Sequence, residues 1–185
     1  TNVTMILDPK VAQAGAPRHE GSEMQDLASQ LRSKLGDESS PGTAPARRPA
    51  GDLNALALQL AEKLKRDPAN GQGWALLART YANTQQFGEA EKTFEKATKL
   101  LPGDAQLLAD WADARVMVQG RQWDKRAREL VEQVLAADPR NLKALSLAGS
   151  EALERSDFRK SAAYWSRMKA AAPANSAESR DAEEH

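Results

Sequence analysis

Few side chains in this sequence have the type and spacing that chemistry requires. The two histidines, His19 and His185, lie near opposite ends of the chain and have no partners at ligand spacing, so they do not indicate a metal site. Cysteine is absent, which excludes thiol catalysis and disulfide frameworks. There is neither a glycine-rich phosphate loop nor a nucleophile elbow. We therefore expect a protein that is not an enzyme, with no catalytic residues, no metal and no cofactor.

The charge balance narrows the function classes further. The chain has 26 basic and 26 acidic residues among 185, so no net charge attracts nucleic acid or an anionic membrane surface. No apolar run approaches the roughly 20 residues that a transmembrane helix needs. The chain begins with Thr1 rather than methionine, so we expect a trimmed or processed fragment, and the sequence leaves open whether a targeting or membrane segment precedes Thr1.

The elements that must position any functional residue are helices, and residues 74–102 show their pattern most clearly. Residues three and four apart share one face of a helix. Small residues on that face let two helices approach closely, while large residues fill the space around the contact. Seven such residues, with the proline that follows the second helix, recur at the spacing of the tetratricopeptide (TPR) repeat, a helix–turn–helix unit of about 34 residues. They are Trp74, Leu77, Ala78, Tyr81, Ala90, Phe94, Ala97 and Pro102.

Proline spacing supports the same period. Four prolines are separated by 34, 37 and 34 residues, and each is followed two residues later by Asn or Asp. Proline stops the preceding helix, and Asn or Asp caps the next one. The second interval has three extra residues, which we place near the turn at 119–121. The prolines are Pro68, Pro102, Pro139 and Pro173, and they delimit a half repeat at 52–66 and full repeats at 71–104, 105–141 and 142–175.

The predicted fold is all-α: a TPR helical-repeat superhelix of a half repeat plus three TPR helix pairs, with a mostly flexible N-terminal extension. Residues 1–51 have no aromatic side chain and five of the nine prolines, so they bury little apolar surface. We expect this segment to be flexible, with a possible amphipathic helix at 22–35. We assign 52–175 to the TPR domain and 176–185 to a polar tail.

The first helix of each TPR repeat lines a concave face, where we predict a peptide-binding groove. Val116, Met117 and Leu153 are expected to form an apolar strip, with Arg79 and Lys143 as nearby cations. Such a surface suits one face of an amphipathic helix. The complete predicted set is Arg79, Asn83, Asp113, Val116, Met117, Lys143, Ser150, Leu153 and Glu154.

Two residues of the second repeat depart from the TPR pattern. Arg115 stands where the first repeat has Tyr81, and we expect its aliphatic stem to lie along the groove between helices. Trp123 lies beside the extra residues, and we expect a hydrophobic plug under a longer loop rather than a ligand-stacking platform.

Several stretches of the repeats carry a narrower resemblance than the TPR period alone. They are LQLAEKL (58–64), DPAN (67–70), GWALLARTY (73–81), LLADWADA (107–114) with the enlarged turn after it, DPRNLKALSLAG (138–149) and AYW (163–165). Over about residues 52–173, the sequence resembles the periplasmic TPR domain of the cytochrome c maturation proteins of the CcmI/CycH family and their nitrite-reductase relative NrfG.

The resemblance implies a function that the residues alone do not specify. Members of that family are anchored in the inner membrane and present the TPR domain to the periplasm. They hold the C-terminal helix of apocytochrome c and pass it to the haem-ligation membrane complex. For this chain it implies an apocytochrome c chaperone that takes part in protein–protein interaction, with haem chemistry left to its partners. It implies no nucleic-acid partner, and membrane contact only through an N-terminal anchor.

Two other function classes stay open on the sequence. One is a general TPR scaffold in another bacterial envelope assembly, such as lipoprotein or pilus biogenesis. The other is a cytoplasmic co-chaperone that clamps a C-terminal carboxylate with Lys and Asn from the first helices. Most of that clamp is missing, because its positions are occupied by Ala75, Arg79, Asp110, Lys143 and Leu147.

Overall fold

The computed structural model describes residues 19–35 and 50–173, and these residues form eight α-helices and no strand. The all-α architecture that the sequence predicts is therefore confirmed. The predicted flexible linker and polar tail lie outside the described residues, as do both histidine side chains. The helices are α1 (His19–Leu35), α2 (Ala50–Arg66), α3 (Gly71–Asn83), α4 (Phe87–Leu100), α5 (Ala105–Val118), α6 (Lys125–Ala137), α7 (Leu142–Glu154) and α8 (Phe158–Ala171).

Side-chain caps begin most of the repeat helices. Asn70, Asp104 and Asn141 each accept a hydrogen bond from the backbone amide three residues later, at 2.8, 2.9 and 3.0 Å. Asp124 and Asp157 cap α6 and α8 in the same way. Each cap satisfies an amide that has no partner within the helix, which stabilises the helix by about 1 kcal/mol. The Asn and Asp residues that follow the prolines therefore start the first helices of the repeats.

The turns inside the repeats show where the three extra residues are inserted. In the first and third repeats, one left-handed residue, Gln85 (φ 62°) or Ser156 (φ 58°), follows the first helix. The second helix begins two residues later. In the second repeat the equivalent left-handed residue is Gly120 (φ 65°), whereas the cap of the next helix is Asp124. The inserted residues are therefore 121–123, and the sequence placed them only two positions too early.

Paired helices share a core built from small and large side chains. Helix α3 packs on α4, α4 on α5, α5 on α6 and α7 on α8. In the last pair, a Cβ atom at Gly149 would approach Trp165 Cε2 to 2.8 Å, so glycine makes room for the large indole. The Ser161 hydroxyl donates to the Gly149 carbonyl oxygen at 2.9 Å, and Trp165 Nε1 donates to that hydroxyl at 3.1 Å. The buried polar groups at this contact thus satisfy one another.

The first helices of the repeats form one row. Helix α3 contacts α5, and α5 contacts α7, as expected for the helices that line a concave face. Helix α1 packs against α2 and α3, and its Leu27 and Leu31 side chains are buried. None of the helices within 19–35 and 50–173 is long and apolar enough to cross a membrane.

Candidate functional site

One buried carboxylate joins the row of first helices. The Asp110 side chain on α5 is 5% exposed. Arg79 Nε on α3 donates to Asp110 Oδ2 at 2.8 Å, and Lys143 Nζ on α7 donates to Oδ1 at 2.6 Å. A carboxylate can be buried at tolerable cost only when it is paired and hydrogen-bonded. Asp110 therefore connects residues from all three full repeats.

Two amide side chains extend this network. Gln106 Nε2 donates to Asp110 Oδ1 at 3.1 Å, and Gln106 Oε1 accepts a hydrogen bond from Asn141 Nδ2 at 3.1 Å. Asn141 is also the cap of α7. The network therefore joins the beginning of α7 to α5 and sets the spacing of the two helices on the concave face.

A cleft of about 780 Å³ lies between α5 and α7. Asp113 and Lys143 stand in it with Oδ2 and Nζ 3.9 Å apart, and their side chains are 46% and 36% exposed. Desolvation by the neighbouring helices raises the pKa of Asp113; the Asp110 carboxylate adds to this rise, and Lys143 opposes it. Both apolar and polar side chains complete the lining: Gln106, Asp138, Arg140, Asn141, Leu142, Ser146, Leu147 and Met168.

The structure brings together only some of the predicted polar residues. Arg79 and Lys143 meet at Asp110, and Asp113 lies beside Lys143. Asn83 Nδ2 donates to the Arg79 carbonyl oxygen at 2.9 Å, so its amide is turned onto its own helix. Ser150 and Glu154 lie further along α7, and neither lines the cleft.

The predicted apolar strip is only partly accessible. Val116 is 7% exposed, because the surrounding helices cover this position of α5, and its side chain therefore does not belong to the surface. Leu153 is 42% exposed near the end of α7, and Met117 is half-buried. Val118, which the sequence pattern missed, is 39% exposed at the end of α5. The accessible apolar residues at these helix ends are therefore Met117, Val118 and Leu153.

Arg115 does not lie along the groove as expected. Its guanidinium donates to the Asp124 carboxylate, with Nε–Oδ2 and Nη2–Oδ2 distances of 2.9 and 2.6 Å, and it also pairs with Glu91 on α4. Asp124 caps α6, so Arg115 fixes the end of the inserted segment to α5. The hydrogen bond from Arg115 is the main reason that the pKa of Asp124 is lowered. Trp123, in the inserted segment, packs against the core.

The central role of Asp110 was not predicted from the sequence. The available signal was an ionisable residue inside the apolar run of α5, with Arg79 and Lys143 on the helices expected to flank it. The Asp110 carboxylate already engages the two cations that a clamp for a C-terminal carboxylate would use. The structure therefore disfavours that alternative. Within the described residues, no group of three or more His, Asp or Glu side chains is arranged to hold a metal ion.

Comparison with known families assigns this repeat array to a protein family. Residues 42–179 match the family model described as the cytochrome c-type biogenesis protein H TPR domain. The chain belongs to this family. The matched residues include helices α2–α8, so the family assignment covers the row of first helices and the cleft between α5 and α7. The resemblance to the CcmI/CycH family that the repeat sequences indicate is confirmed.

Individual relatives agree with the family. The chain is 26% identical over 121 residues to the cytochrome c-type biogenesis protein CycH of Pseudomonas aeruginosa, a match that covers 65% of this chain and 30% of CycH. It is 23% identical over 125 residues to NrfG, a subunit of the formate-dependent nitrite reductase complex of Escherichia coli O157:H7, with 68% and 61% covered. The chain therefore spans about a third of CycH, whose name supports a role in cytochrome c biogenesis.

Solved structures with the same fold are more distant in sequence. A crystal structure of MamA protein superposes with a TM-score of 0.64 at 16% identity and covers 82% of this chain and 73% of the MamA chain. A second MamA structure gives a TM-score of 0.59 at 18% identity, with 66% and 70% covered. These structures confirm the TPR repeat fold.

Proposed function

We propose that this chain is a periplasmic TPR chaperone or adaptor of cytochrome c maturation. It binds the C-terminal helix of apocytochrome c and delivers it to the haem-ligation membrane complex. The family match over residues 42–179 carries this proposal, because it associates the repeat array with cytochrome c biogenesis. The chain acts as an adaptor without chemistry of its own, and it needs no cofactor.

The concave face has the surface that such cargo requires. Before haem ligation, the C-terminal helix of the cytochrome has no core in which to bury its apolar face. The cleft between α5 and α7 offers the half-buried Leu142 and Leu147 beside the charged pair of Asp113 and Lys143. An amphipathic helix can place its apolar side on the former and its polar side near the latter. The exposed side chains at the helix ends extend the same face.

The cellular setting follows from the proposed partners. Haem ligation to cytochromes c takes place in the periplasm, so the TPR domain faces the periplasm and the full-length protein is anchored in the inner membrane. The cargo must be released to the haem-ligation complex, which favours modest affinity. A dissociation constant on the order of micromolar corresponds to about −8 kcal/mol.

Titration calorimetry with the C-terminal peptide of an apocytochrome c tests the proposed face. Leu153→Asp and Met117→Asp should each weaken binding about tenfold or more, because each places a carboxylate against the apolar side of the peptide helix. Leu58→Asp is the matched control, since Leu58 is 64% exposed on α2, outside the row of first helices.

Two outcomes oppose the proposal. Equal binding by the Leu153, Met117 and Leu58 variants, with all three folded by circular dichroism, would reject the groove assignment. No binding of the peptide by the wild-type chain would favour the other envelope role, a general scaffold for lipoprotein or pilus biogenesis.

A further inference from the structure

Helix α1 takes the place of a first TPR helix that the repeat pattern lacks. In the first full repeat, α3 contacts its own second helix, α4, and also the first helix of the next repeat, α5. Helix α1 contacts α2 and α3 in the same way. It therefore completes the predicted half repeat and extends the row of first helices to α1, α3, α5 and α7. Residues 36–49 separate it from α2, so the sequence period does not reveal this role.

The contacts of α1 anchor it in one orientation. Leu27 and Leu31 are buried in a cluster with residues of α2 and α3. Glu23 near the beginning of α1 lies 2.6 Å from Lys63 Nζ. Exposed ion pairs of this kind contribute about 1 kcal/mol or less. The leucines therefore supply most of the binding energy of α1, and the ion pair helps to fix its direction.

A cleft between α1 and α3 corresponds to the cleft between α5 and α7. It measures about 330 Å³, and its wall on the α3 side includes Gln72 and Leu76 together with Asn70, the cap of that helix. These occupy the same repeat positions as Asn141, Lys143 and Leu147 in the larger cleft. On the facing helix, Gln25 and Arg32 are seven residues apart, as are Gln106 and Asp113. The concave face thus carries two equivalent clefts.

The two clefts differ in charge. The larger cleft contains both acids and bases, and its Lys143 is engaged by Asp110. In the smaller cleft Arg32 is the one charged residue of the lining, and it forms no ion pair with any other residue that the structure describes. Its other lining residues are amide, hydroxyl, glycine and apolar: Met24, Gln25, Ala28, Ser29, Leu60, Asn70, Gln72, Gly73 and Leu76.

We propose that the cleft between α1 and α3 is part of the partner-binding surface and that Arg32 binds a carboxylate side chain on the partner helix. The occupant is a helix with an apolar face. It also has an Asp or Glu near the end that lies next to α1. Charge complementarity supports this choice, because a cation that shares the cleft lining with the half-buried Met24 and Ala28 suits an acid flanked by apolar side chains. The inference rests on the proposed function for the presence of a partner helix, and it adds α1 to the binding surface.

Charge reversal in the full chain tests the role of Arg32. Titration calorimetry with the apocytochrome C-terminal peptide should show about five- to tenfold weaker binding for Arg32→Glu than for the wild type. Arg159→Glu is the matched control, because Arg159 is an exposed cation on α8 and the substitution changes the net charge equally. The double variant Leu27→Asp/Leu31→Asp, which undocks α1, should weaken binding at least as much as Arg32→Glu.

A second peptide separates charge recognition from damage to α1. In this peptide Asn and Gln replace Asp and Glu, and it should bind the wild type and the Arg32→Glu variant with equal affinity. If the native peptide binds wild type, Arg32→Glu and Arg159→Glu equally, the inference about Arg32 is overturned while the proposed function stands. If the native peptide binds none of the chains, the proposed function fails, and this extension of it fails as well.

Discussion

At the scale of single residues, Asp110 determines how the polar part of the concave face is organised. Its carboxylate engages Arg79 and Lys143, whose side chains remain 31% and 36% exposed. The centre of the face is therefore nearly balanced in charge, and a partner finds little unpaired charge there. We therefore propose that recognition depends on the exposed apolar residues at the helix ends and on Arg32 of α1.

Removal of the Asp110 carboxylate should destabilise the fold. Asp110→Ala is expected to lower the free energy of unfolding by about 2 kcal/mol or more, because three helices lose a shared hydrogen-bond acceptor. Urea denaturation measures the change. Asp113→Asn is the control on the same helix, since Asp113 is nearly half exposed and should change the stability little. Equal denaturation midpoints for the two variants would contradict the role assigned to Asp110.

Acid should weaken the attachment of the inserted turn. The hydrogen bond from Arg115 lowers the pKa of Asp124, so the folded chain keeps this carboxylate deprotonated to a lower pH than the unfolded chain does. The unfolded chain therefore binds the proton first, and stability falls as the pH drops below about 4. Arg115→Met should flatten this part of a plot of denaturation midpoint against pH. An unchanged acid dependence would show that the pair contributes nothing to it.

At the scale of helices, the prolines and capping residues at the repeat boundaries were enough to predict most of the fold. The proline spacing and the following Asn or Asp residues placed the starts of α3, α5 and α7, since caps and helix stops are local features of the chain, and the spacing of small and large residues indicated the second helices. The docking of α1 could not be predicted in the same way. Its leucines share one helix face, but a helical face does not specify which neighbour it covers.

The candidate site was harder to predict than the helices, for a physical reason. Arg79, Asp110 and Lys143 are about 30 residues apart in the chain, so their contact depends on how three repeats stack. Val116 has the spacing of a groove residue, but its burial depends on the neighbouring helices. Spacing indicates the face of a helix, whereas accessibility is a property of the packed array.

A methyl group at Gly149 should disrupt the last helix pair. Gly149→Ala would place Cβ at 2.8 Å from the Trp165 ring, and we expect a loss of about 1–3 kcal/mol in unfolding free energy. Gly88→Ala is the matched control, because Gly88 lies in α4 with open space around it. That variant should be stabilised by about 0.5–1 kcal/mol. A Gly149 variant as stable as the Gly88 variant would reject the close contact of α7 with α8.

The tryptophans should differ in their contribution to stability. Trp165 is buried, so Trp165→Ala should cost about 3–5 kcal/mol. Trp74 is half-buried, with Lys96 Nζ 3.6 Å from its ring centroid, and Trp74→Ala should therefore cost less, about 2 kcal/mol. Chemical denaturation of both variants distinguishes the two environments. A larger loss at Trp74 than at Trp165 would contradict the packing described.

At the scale of the whole molecule, four first helices form one surface that spans the repeat array. The surface has the Arg32 cation on α1, a balanced polar centre around Asp110 and exposed apolar side chains toward the ends of α5 and α7. This order makes the two ends of the surface different, so the proposed partner helix, with acidic and apolar side chains at different positions, is expected to bind in one orientation. An adaptor that presents one end of its cargo to another complex needs such a direction.

Titration calorimetry of the wild-type chain with one cytochrome c in two states tests the proposed function most directly. The apocytochrome should bind with a dissociation constant on the order of micromolar, because the apolar face of its C-terminal helix is exposed. The holocytochrome should bind at least about tenfold more weakly, since haem ligation packs that face into the core. Equal affinity for the two forms, or no binding of the apocytochrome, would contradict the proposal that this chain holds apocytochrome c before haem attachment.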